Sequence, residues 1–369
     1  MKLALRELRR RPAKFAAALA ILSLIATLLI FLGGLLDGLI GQSTGAIRAQ
    51  NAEVVVYSSQ ADASFLRSRI EPDLAALVAG VDGAEQIGGL GLVQLGARVP
   101  GNGPRDLVAV ALFGAEIPPK GIAELPADGS VIADSFLREN GIREGMVINL
   151  GPARTPVTVV GFVDDTNYGG QGSLWGSVNT WRTVLEANRP QERLADGVVQ
   201  ALVVETTGDA AQVAAAIDKA TDGATQSLTL TEAVDAIPGV KEQRGTFSQI
   251  ISVTLAIAGV VIALFFALLT TERIGLYGVL KAIGASSRTL FAGVIAQAVV
   301  LTALAAIGGG ILMTIFNVTV PKGAIPFALS PTRWLTTVFS LLAASVIGSS
   351  FSLRRVLRVD PAAAIGSAS

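Results

Sequence analysis

Four long runs of uncharged, mostly apolar residues divide this chain, and a block of mixed polarity separates the first run from the other three. The runs cover 15–36, 247–271, 289–320 and 334–353. Each is long enough to cross a bilayer, which takes about 20 apolar residues. The third is longer than one crossing needs and contains Gly308-Gly309-Gly310, so it is expected to tilt or break there. Between the second and third runs, Leu276, Val279, Leu280 and Ile283 match the i, i+3, i+4, i+7 template of a short amphipathic helix.

The intervening block alternates short β-like and helical stretches. Strands are expected at 53–58, 92–99, 106–112, 146–150, 155–163 and 198–206, and helices at 63–80, 133–140, 178–187 and 210–220. The fold class is therefore an α-helical membrane protein with four transmembrane helices and an α+β extracytoplasmic domain inserted between helices 1 and 2. In order, the expected segments are a basic arm (1–14), transmembrane helix 1 (15–40), the inserted domain with its stalk ends (41–246), and helix 2 (247–271). A coupling loop (272–288), helix 3 (289–320), a short external loop (321–333), helix 4 (334–353) and a tail (354–369) follow. A cleaved signal peptide is the competing reading of the first run. Its apolar core would be 7–15 residues, which this run exceeds, and no small-residue site closes it cleanly, so it reads as an uncleaved membrane helix.

Composition supports this reading, with 51 % hydrophobic and only 16 % charged residues. Net charge is zero, yet 26 of the 29 acidic residues lie between Asp37 and Glu242. The basic arm, the coupling loop and the tail hold twelve Lys/Arg against Glu7, Glu272 and Asp360. Short basic segments stay inside, so both termini and the 272–288 loop are expected in the cytoplasm and the acidic block outside, in a multi-pass protein of the cell membrane. The chain has no Cys and no His. Disulfides, thiolate metal sites and Cys nucleophiles are excluded, and the commonest general base and metal ligand is missing. No metal site, catalytic residue or nucleic-acid partner is expected.

No G-x-x-x-x-G-K-[ST] sequence occurs, so any ATP is bound by another protein. Gly41-Gln42-Ser43-Thr44-Gly45 matches a nucleophile elbow but has no His to serve it and follows a membrane helix rather than a strand. Gly34 and Gly38, four apart near the end of the first run, have the spacing that lets helices approach closely in lipid, in this chain or between two copies; chance in a chain with 40 glycines is the bland reading. Asp37 and Glu242 lie at the outer boundary, either as headgroup-level charges or as the lining of a ligand entrance, and Tyr168 follows an acidic loop.

Glu272-Arg273 and Gly278-Val-Leu-Lys-Ala-Ile-Gly-Ala-Ser286 resemble the loop after the second span of MacB/FtsX-type ABC transporter permeases. Within the block, Gly129-Ser-Val-Ile-Ala-Asp-Ser-Phe-Leu, Gly145-Met-Val-Ile-Asn-Leu and Val157-Thr-Val-Val-Gly-Phe-Val-Asp resemble that family's external domain. Where MacB-like members usually carry a second acid and an Ile-Gly pair, this chain has Leu276, Tyr277 and Gly278, a version closer to the DevC/HrtB branch.

The resemblance implies a homodimer working with two copies of a cytoplasmic P-loop ATPase that carries the ATP and Mg. It implies that the short helix docks into the ATPase, with Leu276, Tyr277, Val279, Leu280 and Ile283 as apolar anchor and Glu272, Arg273, Lys281 and Arg288 as polar flank. An interfacial helix lying on lipid is the alternative. The branch implies export of a membrane-partitioning amphipathic compound, haem in the HrtB-like members. With no His or Cys, a haem ligand would be drawn from residues such as Asp37, Glu242 and Tyr168. The second functional reading is an FtsX-like mechanotransmitter that moves external protein partners without carrying a solute.

Overall fold

The computed structural model describes residues 12–103, 105–272, 274–320 and 325–357. The chain runs through α1 (Pro12–Arg48), β1 (Val54–Ser58), α2 (Pro72–Ala79), β2 (Ala84–Arg98), β3 (Leu107–Ala115), β4 (Ser130–Asp134), β5 (Val147–Leu150) and β6 (Thr155–Val163). It continues through β7 (Gly172–Ser177), α3 (Val178–Asn188), β8 (Ala201–Thr206), α4 (Ala210–Ala220), β9 (Thr225–Thr229) and α5 (Leu230–Asp235). The last elements are α6 (Val240–Thr271), α7 (Ile274–Ala282), α8 (Ser287–Thr319) and α9 (Pro331–Leu357). Leu39–Gln243 forms one compact body; the described residues up to Gly38 and from Arg244 onward form another.

The helical body packs α1, α6, α7, α8 and α9. Among the described residues three helices, α1, α6 and α8, are long and apolar enough to cross a membrane. The fourth apolar run lies in α9, which also carries Thr336, Thr337, Ser340, Ser345, Ser349 and Ser350. Its hydroxyls can return to its own turn: those of Thr337 and Ser350 donate to the Arg333 and Val346 carbonyls at 2.9 and 2.6 Å. Such bonds satisfy a hydroxyl inside an apolar medium. Phe15, Leu22, Ile262, Phe266, Ala298 and Leu301 make the bundle's main core.

The expected break at Gly308–Gly310 is absent, and α8 runs unbroken to Thr319. Its glycines serve packing instead. A methyl on Gly309 would come 2.9 Å from both the Ala26 Cβ and the Thr27 N of α1. On the other side of the bundle, Gly348 of α9 lies against the Gly259 carbonyl of α6. Small residues at these crossings allow backbone-to-backbone approach, the main source of helix association in lipid.

The other body is built on a nine-stranded sheet in the order β3-β7-β4-β6-β5-β2-β8-β1-β9, with β2 also paired to β3. That extra pairing closes six strands, β2-β3-β7-β4-β6-β5, into a ring. The fifteen-residue β2 makes this possible, because Ala84–Leu90 pairs with β8 while Leu90–Arg98 pairs with β3. Gly91 and Gly114 stand opposite each other across that pair, and both face the buried Trp181 of α3. Any side chain at either position would fill the slot the indole occupies. The arm β8-β1-β9 is covered on one face by α2 and α4, through Val54, Val56, Leu202, Val204, Val78 and Ile217. Val55, Tyr57 and Val203 pack into a second core on the opposite face. Burial on both faces explains the unbroken Val54-Val55-Val56-Tyr57 run.

Two expected helices are corrected. Residues 63–71 form turns, and the helix starts at Pro72, whose missing N–H and fixed φ suit the first helical turn and oppose a preceding one. The 133–140 stretch completes β4 and then forms a 3-10 turn, Ser135–Arg138, because the Asp134 carboxylate accepts the Phe136 N–H at 2.9 Å. β4, β7, β9 and α5 were not expected from pattern alone; β7 (GSLWGS) and β9 (TQSLT) are short and rich in small or polar residues.

Asp134 is 1 % exposed and also accepts from the Thr166 N–H and hydroxyl, both at 2.7 Å. Asp134→Ala should leave these buried donors unmet and cost about 3 kcal/mol. Thermal unfolding of the full chain, followed by tryptophan fluorescence, is expected to shift down by about 6–12 °C for a domain of this size.

Candidate functional site

The short helix α7 is held by only part of its surface. Tyr277 is buried with Phe266, Leu269 and Val294, and Leu280 packs on the same cluster. Leu276, Val279 and Ile283 stay exposed, Ile283 to 79 %. Their spacing places the three on one face, turned from the Tyr277 side. The apolar residues expected to act together are therefore split between an anchor to the bundle and an outward face. Glu272 and Arg288 are exposed and Lys281 is half-buried; Arg273 lies outside the described residues.

The end of α7 is fixed by backbone geometry. Gly284 has φ +99°, its N–H donates to the Lys281 carbonyl at 3.0 Å, and the Ala285 N–H donates to the Leu280 carbonyl at 2.9 Å. This is a Schellman cap, which a left-handed glycine makes possible. Ser286 then caps α8 by accepting the Thr289 N–H at 3.2 Å. The turn between α7 and α8 is thus specified by Gly284-Ala-Ser286.

Asp37 has a partner that the pattern did not disclose. The Arg333 Nε donates to its carboxylate at 3.0 Å and Nη2 donates to the other oxygen. Two hundred and ninety-six residues separate them in sequence. The available signal was their shared position, each bordering an apolar run on the expected outer side. Gly33 lies under the Arg333 stem, where a methyl would meet Cδ at 2.8 Å.

Gly34 and Gly38 receive the 325–330 segment rather than a second helix. Phe327 covers Gly34, and the Pro326 carbonyl lies over Gly38. The Ala328 N–H donates to the Gly34 carbonyl at 3.0 Å. The Phe327 ring stacks on Phe31 at 6.0 Å and meets Phe316 edge-on at 5.9 Å.

Beside these contacts α6 and α9 enclose an open, mainly apolar cavity of about 830 Å³. Ala256, Gly259, Ala263, Ala343 and Gly348 give it depth. A smaller cavity of about 160 Å³ shares Leu255 and Ser340 with it and is lined by Arg333, Thr336 and Thr337.

Tyr168 and Glu242 belong to the other body. Glu242 is exposed in the first turn of α6, a favourable place for an acid beside unpaired N–H groups. Tyr168 packs edge-on against Phe113 and Phe65 at 5.4 and 6.2 Å, within a cluster that includes Tyr57 and Trp175. Burial pushes its phenol up to about 12, which works against the phenolate that would bind iron. The Gly41–Gly45 stretch is helical, and three hydrogen bonds join residues 42–46 to the loop after β6. Gly169 and Gly170 N–H groups donate to the Ser43 and Gln42 carbonyls at 3.0 and 3.1 Å, and the Ala46 N–H donates to the Asn167 carbonyl at 3.0 Å. Gly45 leaves room for the 165–167 backbone.

Three helices long and apolar enough to cross a membrane, a short helix with an outward apolar face and a large inserted body are the features of a membrane protein. Residues 249–361 match the family FtsX-like permease C-terminal. The chain is 30 % identical over 132 residues to the putative hemin transport system permease protein HrtB of Staphylococcus haemolyticus, covering 36 % of this chain and 37 % of that one. It is 40 % identical over 114 residues to an uncharacterized ABC transporter permease of Mycobacterium bovis, covering 30 % and 31 %. The matched stretches thus span about a third of these relatives. Among solved structures, the periplasmic region of MacB from Actinobacillus actinomycetemcomitans aligns with TM-score 0.34 and 10 % identity, over 52 % of this chain and 96 % of that one. The extracellular domain of the transporter YknZ from Gram-positive bacteria gives 0.32 and 15 %, over 48 % and 100 %. The chain resembles MacB/FtsX-type ABC transporter permeases, and HrtB-type permeases are among its relatives.

Burial raises the phenols of both Tyr57 and Tyr168 above the ordinary value of 10.0. The folded state therefore keeps protons that the unfolded state loses above pH 10, and stability present below pH 10 is lost as pH rises towards 12. Absorbance at 295 nm should show no ionisation of these two residues in the folded chain at pH 10.5. Tyr168→Phe should make the fall in unfolding temperature above pH 10 shallower.

Proposed function

We propose that this chain is the permease subunit of an ATP-driven MacB-like efflux transporter, with four membrane spans, cytoplasmic termini and the Leu39–Gln243 body outside. The observation that carries the reading is the divided surface of α7. Tyr277 and Leu280 tie it to the spans, while Leu276, Val279 and Ile283 leave an exposed apolar face. The FtsX-like match over this same region supports it. A helix so anchored moves with α6 and α8 when its outer face is pulled. Two copies of a cytoplasmic P-loop ATPase would close on a homodimer and shift the spans, with ATP and Mg held by the ATPase. The charges at Glu272, Lys281 and Arg288 flank the docking face.

Fully burying one isoleucine contributes about 1.5–3 kcal/mol. Ile283→Asp removes that and buries a charge, so co-purified ATPase should fall at least tenfold, along with coupled ATP turnover. Undiminished complex yield would sink the docking role.

Haem is the proposed cargo, on the strength of the HrtB relatives named for hemin transport. Addition of haem to the purified chain should shift its Soret absorbance; an unshifted band would remove haem while leaving the permease reading intact. The mechanotransmitter reading draws on one observation of its own, the three backbone hydrogen bonds between residues 42–46 of α1 and the 167–170 loop. That clamp holds the end of α1 firmly within the inserted body, and the reading predicts an external protein partner in place of a lipophilic ligand.

A further inference from the structure

We propose that the α6/α9 groove and the Arg333 cavity form one binding site for a single-chain amphiphile with an anionic head, its acyl chain in the groove and its head at the guanidinium. The two cavities are neighbours, with Leu255 and Ser340 lining both. From Ser252 to Ala267 the groove follows about 22 Å of α6 at 1.5 Å per residue. That shape suits a flexible linear chain.

The head end has different chemistry. Arg333 offers Nε and Nη2 to Asp37, and Nη1 has no hydrogen-bond partner among the described residues. Arginine has donors only, so the group that completes it must be an acceptor, and a charged acceptor bonds about twice as strongly as a neutral one. Thr336 and Thr337 spend their hydroxyl protons on the Arg333 carbonyl, each at 2.9 Å. The guanidinium edge is therefore the principal donor at this end. Asp37 neutralises Arg333 in the unliganded protein and limits affinity for an anion. Gly33, beneath the Arg333 stem, keeps the side chain along α1 in this position.

The inference rests on the permease reading in one respect, that α6 and α9 lie in a bilayer where such amphiphiles partition. The test uses the full chain with its ATPase in nanodiscs and two diazirine probes, a sixteen-carbon carboxylic acid and the matching primary alcohol. The acid should be captured at least fivefold over the alcohol, on peptides covering 252–267 and 336–348. Arg333→Gln should abolish that preference, and Ala343→Phe, which fills the groove without touching the head, should lower capture of both probes at least threefold. Asp37→Asn should keep or raise acid capture. Equal capture of the two probes, labelling elsewhere, or indifference to Ala343→Phe would overturn the proposal. ATPase co-purification reports separately: its absence from the unmodified chain strikes the permease reading, whereas a complex that shows no acid preference strikes only this site.

Discussion

Apolar side chains gain little by leaving lipid for another helix, and the helical body is organised around that constraint. What remains to hold such helices together is close packing and satisfied polar groups. Gly309 against Ala26 and Gly348 against Gly259 provide the first. The Asp37–Arg333 fork provides the second, tying the first long helix to the last. Hydroxyls along the helices return to their own backbones, as Thr27 does to Ser23 at 2.7 Å and Thr314 to Gly310 at 2.9 Å. The same small residues that permit close crossings also leave the groove between α6 and α9, so packing and the proposed ligand site have one origin.

The inserted body follows the opposite rule, since burial of its apolar residues is itself favourable in water. Its three cores meet along β2, which pairs with β3 in the ring and with β8 of the arm. Asp134 links that core to α1 through a chain of specific bonds. It holds Thr166, and the residues that follow Thr166 clamp residues 42–46. A displacement of this part of α1 meets a network of backbone hydrogen bonds, which is stiffer than apolar contact. At α7 the split between Tyr277 and Ile283 does similar work, because one side fixes the helix and the other stays available.

Much of this was legible along the chain. The apolar runs, the inserted block, the helical spacing of 276–283 and several strand positions follow from length, period and β-branched content, which are local properties. The helices expected at 63–80 and 133–140 show where local pattern stops, the first forming only from Pro72. Pro72 and the Asp134 side chain each end a helical pattern through a single atom or bond. β7 and β9 lack a strong alternation, and they become strands because ladder partners bury Leu174, Trp175 and Ser227.

The sequence by itself determined that the chain holds membrane-length helices around an inserted α+β block, that it carries no P-loop, and that a short amphipathic helix lies between two of its long apolar runs. Hydrophobic length and charge are enough for those conclusions. Only the tertiary structure decided that Asp37 belongs to Arg333, that Gly34 and Gly38 seat the 325–330 segment, that Tyr168 sits in an aromatic core, and that α7 has two different faces. Each of these depends on contacts between residues far apart in the chain, and spacing along one helix carries no information about which distant group will meet it.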